Sequence, residues 1–237
     1  MVTNNPRYAR QTCLPEIGAS GQEKLGKAKV LIIGAGGLGC PVALYLTAAG
    51  VGTIGIVDED KIEVHNLQRQ ILYDTYYLGR PKVEIAAEKL NDLNDEVKII
   101  PHNLRLDETN AKDIVEQYDI VADCSDNFDT RFLVNDVCME LSKTLVSAAV
   151  AGFEGQVYTF KKGVCSYRDI YEKPPEGLIT SCSQTGILGS VCGVVGSLQA
   201  TEIIKEILGI GESLCGKMIV YEGTKNNLKK IVINDIC

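Results

Sequence analysis

Residues 29–50 constrain the fold more than any other stretch. Lys29-Val-Leu-Ile-Ile-Gly34 is a short β-branched run of the kind that forms a strand buried on both faces. Gly34-Ala-Gly36-Gly37-Leu-Gly39 follows at once, and residues 40–49 then read as a helix stopped by Gly50. A strand that turns through clustered glycines straight into a helix opens a parallel βαβ unit, with unpaired N–H groups at the helix start. The next buried run, Thr53-Ile-Gly-Ile-Val57, ends at Asp58, nineteen residues after Gly39. In that context Gly34, Gly36 and Gly39 let the backbone approach a phosphate, and Asp58 can accept hydrogen bonds from ribose hydroxyls. A tight packing turn is the plain alternative, but strand, loop, helix and acid together favour a nucleotide. The motif alone does not choose between a nicotinamide dinucleotide and ATP.

The alternation continues downstream. Hydrophobic spacing predicts helices over 80–91, 108–117 and 130–141 and strands over 97–100, 119–122 and 144–149. Upstream, Ser20 is expected to cap a short helix, with Glu23 as its capping-box partner. Beyond Ala151 the rhythm changes to a strand over 155–160, a polar loop over 161–181, a long apolar helix over 186–208, and strands over 217–221 and 228–233. The expected fold is α/β: a doubly wound, Rossmann-like, mostly parallel sheet extended by antiparallel C-terminal strands. With no repeat or linker-like stretch, residues 1–237 read as one domain, with a nucleotide-binding half over about 26–150 and an antiparallel half over about 151–237.

Twenty-four basic against thirty-one acidic residues give a net charge of −7. That argues against nucleic-acid and membrane-surface partners, because no general positive field draws polyanions in. No basic stretch followed by an apolar one opens the chain, and the apolar run 187–200 falls short of the ~20 residues a membrane span needs. Nine cysteines, an odd count without framework spacing, read as free thiols in a reducing cytoplasm.

Cations and acids around the loop favour ATP. Asn66-Leu-Gln-Arg69-Gln70 and Lys82 lie between the second strand and the following helix, and a triphosphate needs fixed cations such as Arg69 and Lys82. Asp123-Cys-Ser-Asp126-Asn127 follows the strand over 119–122, where strand ends open onto the ligand crevice; Asp126 there can hold magnesium. The plain alternatives are solvated charges for Arg69 and Lys82 and a helix cap for Asp126-Asn127.

These residues carry a resemblance. Arg7-Tyr-Ala-Arg10-Gln11, the glycine loop, Asp58-Glu-Asp60, Asn66–Gln70, Pro81-Lys82-Val83, Asp123–Asn127 and Gly193-x-x-Gly-Ser-Leu-Gln-Ala200 occur in the order and spacing of the ThiF/MoeB/HesA family, bacterial relatives of the ubiquitin-activating enzymes. The chain resembles that family from about Arg7 to about Tyr221. The resemblance implies ATP- and magnesium-dependent adenylylation of the C-terminal glycine carboxylate of a ubiquitin-like sulfur carrier ending in Gly-Gly, with release of pyrophosphate, for thiamine or molybdopterin synthesis. By position, Gly37, Asp58, Asn66, Arg69, Lys82, Asp126 and Asn127 match the family's ATP-site residues, and Arg10 matches an arginine that reaches into the neighbouring subunit's site. A homodimer follows from that role. With no rhodanese-like extension, a separate sulfur donor is expected.

Relatives often bind a structural zinc through two Cys-x-x-Cys pairs; here the first region reads Cys165-Ser-Tyr-Arg-Asp169 and the chain ends at Cys237, so no zinc is expected and the loop 161–181 is expected to be more mobile than in zinc-bearing relatives. Cys182 lies just before an expected helix N-terminus, where free N–H groups favour a thiolate. It also matches by position the cysteine that ThiF-type enzymes link to the activated carrier. A small buried residue is the plain reading there. Cys40, Cys124, Cys138 and Cys192 read as core filler, and His65 and His102 as ordinary polar residues. Gly189, Gly193 and Gly196 put one flat face on the late helix, for packing against the sheet or a second subunit. Two rival readings stand beside the adenylyltransferase: a nicotinamide-dependent oxidoreductase, and a non-catalytic docking relative of the activating enzymes.

Overall fold

A computed structural model describes residues 5–173 and 186–233. After two short N-terminal helices, α1 (Ala9–Thr12) and α2 (Gly18–Lys27), come β1 (Lys29–Ile33), α3 (Gly39–Ala49), β2 (Thr53–Val57), α4 (Lys82–Leu93), β3 (Lys98–His102), α5 (Ala111–Val115), β4 (Ile120–Asp123), α6 (Phe128–Leu141), β5 (Thr144–Ala151), β6 (Glu154–Phe160), α7 (Gly189–Leu208), β7 (Lys217–Glu222) and β8 (Asn227–Val232). They form one eight-stranded sheet in the order β3-β2-β1-β4-β5-β6-β7-β8. The first five strands pair in parallel and the remaining pairs are antiparallel. The expected fold class is the observed one.

β1 shows why a continuous apolar run was needed. Val30 and Ile32 enter the core shared with α2, α3, α4 and α7, while Leu31 and Ile33 enter the opposite core, shared with α5, α6 and Tyr167. Both faces are covered, so both side-chain sets must be apolar. At the sheet edge, Pro101 sits in β3, where a missing N–H costs no ladder bond to a further strand.

Three local expectations change. Ser20 does not cap α2: the helix already begins at Gly18, with Ile17 at its N-cap, because Gly18 N–H bonds Leu14 O and Gly21 N–H bonds Ile17 O. The helix expected over 108–117 shrinks to α5, since Asp107 Oδ1 accepts the Thr109 N–H and Asn110 Oδ1 accepts the Asp107 N–H, holding residues 107–110 in a turn. The polar loop expected over 161–181 is structured in its described part. Lys161 and Cys165 form a bridge, and Ser166 and Asp169 form a capping box around a 3-10 turn, Tyr167–Asp169. That turn buries Tyr167 against Phe132 and Phe160.

The glycine face of α7 is divided. A Cβ on Gly189 would lie 2.2 Å from Gln68 O, and one on Gly196 2.4 Å from Pro41 Cγ, so these two admit the nucleotide-binding half; Gly193 faces nothing within 4 Å. Cys40, Cys124, Cys138 and Cys192 are buried as expected, and burial pushes the Cys40 thiol up to about 12. No helix among the described residues is long and apolar enough to cross a membrane.

Candidate active site

β2, β1 and β4 are parallel neighbours, so their C-terminal ends open at one edge of the sheet. Gly34 takes φ +94°, a left-handed conformation suited to glycine, and a Cβ on Gly39 would sit 1.9 Å from Gly34 O. The loop therefore closes tightly enough to point the start of α3 at whatever lies above it. A Cβ on Gly34 would also meet Cys124 O at 3.0 Å, so the turns after β1 and β4 touch.

Asp58 fastens the loop from the side. Its Oδ2 accepts the Ala35 N–H at 2.8 Å and its Oδ1 accepts the Asp60 N–H at 2.8 Å. Burial raises the Asp58 pKa above the ordinary carboxylate value, opposed by the Lys82 charge and by the Ala35 and Asp60 N–H groups. Lys82, at the first position of α4, is only 4% exposed; its Nζ lies 2.7 Å from Asp60 Oδ2 and 3.8 Å from Asp58 Oδ1. It is a fixed cation at the edge of the loop, not the solvated surface charge of the plain reading.

Arg69 brings its Cγ and Cδ to 3.4 Å from where a Cβ on Gly37 would be, and its guanidinium donates to His65 O at 3.0 Å. Asn66 is buried, and its Oδ1 accepts the Glu63 N–H as part of a capping box. Its position in the loop therefore has a structural cause of its own. Asp126 is exposed just past β4, while Asn127 caps α6 by accepting the Thr130 N–H at 2.9 Å. Asp58, paired with Lys82, and Arg69, packed beside Gly37, thus border the same glycine loop, with Asp126 on the adjoining turn.

Arg10 is not brought to this crevice. Gln11, next to it in α1, donates to Ala49 O at 3.0 Å, at the C-terminal end of α3, whereas the glycine loop is at the other end. Eleven residues of helix, roughly 16 Å, separate the two ends. Cys182 lies outside the described residues. His102 pairs with Tyr118 Oη at 2.9 Å, and His65 is exposed beside Glu63, so neither serves the loop.

Several supporting residues were not legible in the sequence. Tyr73 Oη donates to Ala35 O at 3.0 Å, so the residue whose N–H is held by Asp58 has its carbonyl held as well. Gln70 is 3% exposed, with an Oε1 that has no hydrogen-bond partner among the described residues and an Nε2 3.7 Å from where a Cβ on Gly36 would stand. Behind the Asp126 turn, buried Arg131 donates to Asp123, Ser147 Oγ, Ala148 O and Ser125 O, and Gln199 of α7 donates to Asp123 O and Val146 O. The only advance signal was proximity: Asp60, Gln70, Asp123 and Gln199 each lie inside a motif already singled out.

Backbone N–H groups at a helix start, two fixed cations and an adjacent exposed carboxylate make an anion site suited to a polyphosphate with a divalent ion. Comparison with known proteins gives the same direction. The ThiF family profile matches residues 8–235. The chain is 45% identical over 235 residues to a sulfur carrier protein adenylyltransferase of Thermus thermophilus, covering 96% of this chain and 86% of that protein. It is 46% identical over 230 residues to the adenylyltransferase and sulfurtransferase MOCS3 of Xenopus laevis, where 96% of this chain spans about half, 51%, of the relative. Among solved structures, E. coli MccB with MccA-N7isoASN superposes with a TM-score of 0.85 at 25% identity, over 98% of this chain and 73% of that one.

Proposed function

This chain belongs to the ThiF family, and from that premise we propose that it adenylylates the C-terminal glycine carboxylate of a ubiquitin-like sulfur carrier. ATP is the adenylyl donor and pyrophosphate leaves. One observation carries the reading: Asp58 and Lys82, in contact with each other, flank a glycine loop that also touches Arg69, with Asp126 on the adjoining turn. A dinucleotide pyrophosphate has no use for so many fixed charges, so a nicotinamide enzyme leaves Lys82 and Asp126 idle.

The chemistry asks little of a side chain. The attacking carboxylate is already ionised near neutral pH, so no general base is required. A carboxylate oxygen bonds to the α-phosphorus as the bond from that phosphorus to the bridging oxygen breaks. The protein's part is orientation and charge neutralisation: the start of α3 and Gly37 receive the phosphates, Asp58 the ribose, and Arg69 and Lys82 balance the departing pyrophosphate. Asp126, an exposed hard-oxygen donor beside the loop, fits magnesium, which takes one or two carboxylates plus phosphate oxygens. When bound, the ion would neutralise phosphate charge.

Because Arg10 lies at the opposite end of α3 from its own chain's crevice, it acts in the site of a second copy, and the working form is a homodimer. Cys182 serves a step after adenylylation, and sulfur comes from a separate donor for thiamine or molybdopterin synthesis. Nine cysteines, an odd count without framework spacing, support a reducing, cytoplasmic setting. No zinc is required. The test is carrier-dependent exchange of pyrophosphate into ATP. Asp126→Ala is expected to abolish exchange with an unchanged fold; unaltered exchange in the folded variant would overturn the assignment.

A further inference from the structure

Cys165 and Cys215 are fifty residues apart in the chain, and their Sγ atoms are 3.3 Å apart. Both backbones are fixed beside the end of β6. Cys165 closes a turn with Lys161 through two backbone hydrogen bonds of 3.0 and 3.1 Å, and Cys215 forms a parallel bridge with Thr159. The Cys165 sulfur is itself oriented: it donates to Thr159 O at 3.3 Å and accepts the Gly216 N–H at 3.0 Å. A disulfide bond is ~2.05 Å long, so the sulfurs need to approach by roughly 1.3 Å. That is within the reach of small side-chain rotations.

We propose that Cys165 and Cys215 form a redox pair that closes to an intramolecular disulfide by exchange with a small-molecule disulfide. Cys215 is half-buried and Cys165 is buried, so the oxidant meets Cys215 first. The Cys215 thiolate attacks one sulfur of the oxidant, whose S–S bond breaks to release one thiol. The Cys165 sulfur then attacks Cys215 Sγ and expels the second thiol. Two protein thiols are oxidised, one small disulfide is reduced to two thiols, and the two protons leave with them. Burial, then the adjoining Cys165 thiol, pushes the Cys215 pKa up to about 12, with Lys161 opposing and Glu206 adding to the rise. Closure is accordingly slow near neutrality and quickens with pH. Once made, the bond joins the turn after β6 to the segment entering β7, and it constrains the unfolded chain across a long loop.

The experiment incubates the full chain with oxidised glutathione at mildly alkaline pH, unfolds it, alkylates the remaining thiols and maps the peptides by mass. A cross-linked Cys165–Cys215 peptide, abolished by dithiothreitol, is expected, together with a melting temperature several degrees above that of the reduced protein. Cys215→Ser is expected to melt like the reduced wild type and to show no rise on oxidation. Full alkylation of both cysteines, a persistent glutathione adduct on Cys215, or a cross-link from Cys215 to a different cysteine would overturn the proposal. The peptide map of the wild type decides even if the variant fails to fold.

Discussion

Lys82 Nζ lies 2.7 Å from Asp60 Oδ2, so a buried ammonium on the first turn of α4 fastens the turn that follows β2. Asp58 stands 3.8 Å away on its other side. In the proposed ATP site the ammonium has two tasks, holding Asp58 in place and presenting a cation to phosphate.

Lys82→Met separates these tasks. Asp60 is solvent-exposed but Lys82 and Asp58 are buried, so the stability lost is expected to fall between the ~1 kcal/mol of an exposed pair and the ~3–5 kcal/mol of a broken buried one. The lost cation is expected to lower carrier-dependent pyrophosphate exchange by about two orders of magnitude or more. Exchange kinetics set beside a urea melt check both figures. Near-normal exchange would remove Lys82 from the phosphate site.

Arg131 supports the Asp126 turn from behind. Asp123 is 1% exposed and bonded to Arg131, Ser125 and Ser147, so Arg131→Met strands a buried carboxylate. The expected loss is ~3–5 kcal/mol in urea unfolding. Adding Asp123→Asn is expected to recover part of it, because the second change removes the stranded charge. A double variant no better than the single one would mean that packing, not charge, sets the cost.

The glycines of α7 divide by their surroundings. Gly189→Ala drives a Cβ into Gln68 O, next to Arg69, and is expected to cost about 1–3 kcal/mol and to weaken ATP binding. Gly193→Ala meets nothing within 4 Å and removes a glycine from a helix interior, so it is expected to gain ~0.5–1 kcal/mol. Chemical denaturation of both variants, with nucleotide titration of the first, tests the pair.

Glu212 gives a signed pH dependence. Hydrogen bonds from Lys217 and Lys230 lower its pKa to about 2, against an ordinary value of 4.5. A depressed carboxylate stabilises the fold above the unfolded value, and that support is lost as pH falls through about 2. Glu212→Gln is therefore expected to melt below the wild type at pH 6, with the gap closing toward pH 2. Both lysine pairs are exposed, so high salt is expected to shrink the gap at pH 6 as well. Thermal melts across pH at two salt concentrations show whether it does.

Much of this was legible in order along the chain. Continuous apolar runs marked β1, β2 and β4, because a strand covered on both faces can admit nothing else. The glycine spacing marked the loop, because only glycine accepts the backbone approach between Gly34 and Gly39. Local polar competition was harder to read: Asp107 and Asn110 bond their own backbone and shorten α5.

What the sequence determined by itself was the parallel βαβ architecture and the residues at the strand ends, since hydrophobic period and glycine position act over a few residues. Tertiary structure alone decided which polar groups are buried and what they face. Nothing local separates Lys82, enclosed between Asp58 and Asp60, from a surface lysine, or Arg131, enclosed behind Asp123, from a surface arginine. Nor does the order of the chain reveal that Arg10 sits at the far end of α3, or that Cys165 meets Cys215 across fifty residues. Burial and long-range contact are properties of how layers stack, and stacking joins segments whose separation in sequence carries no record of their distance in space.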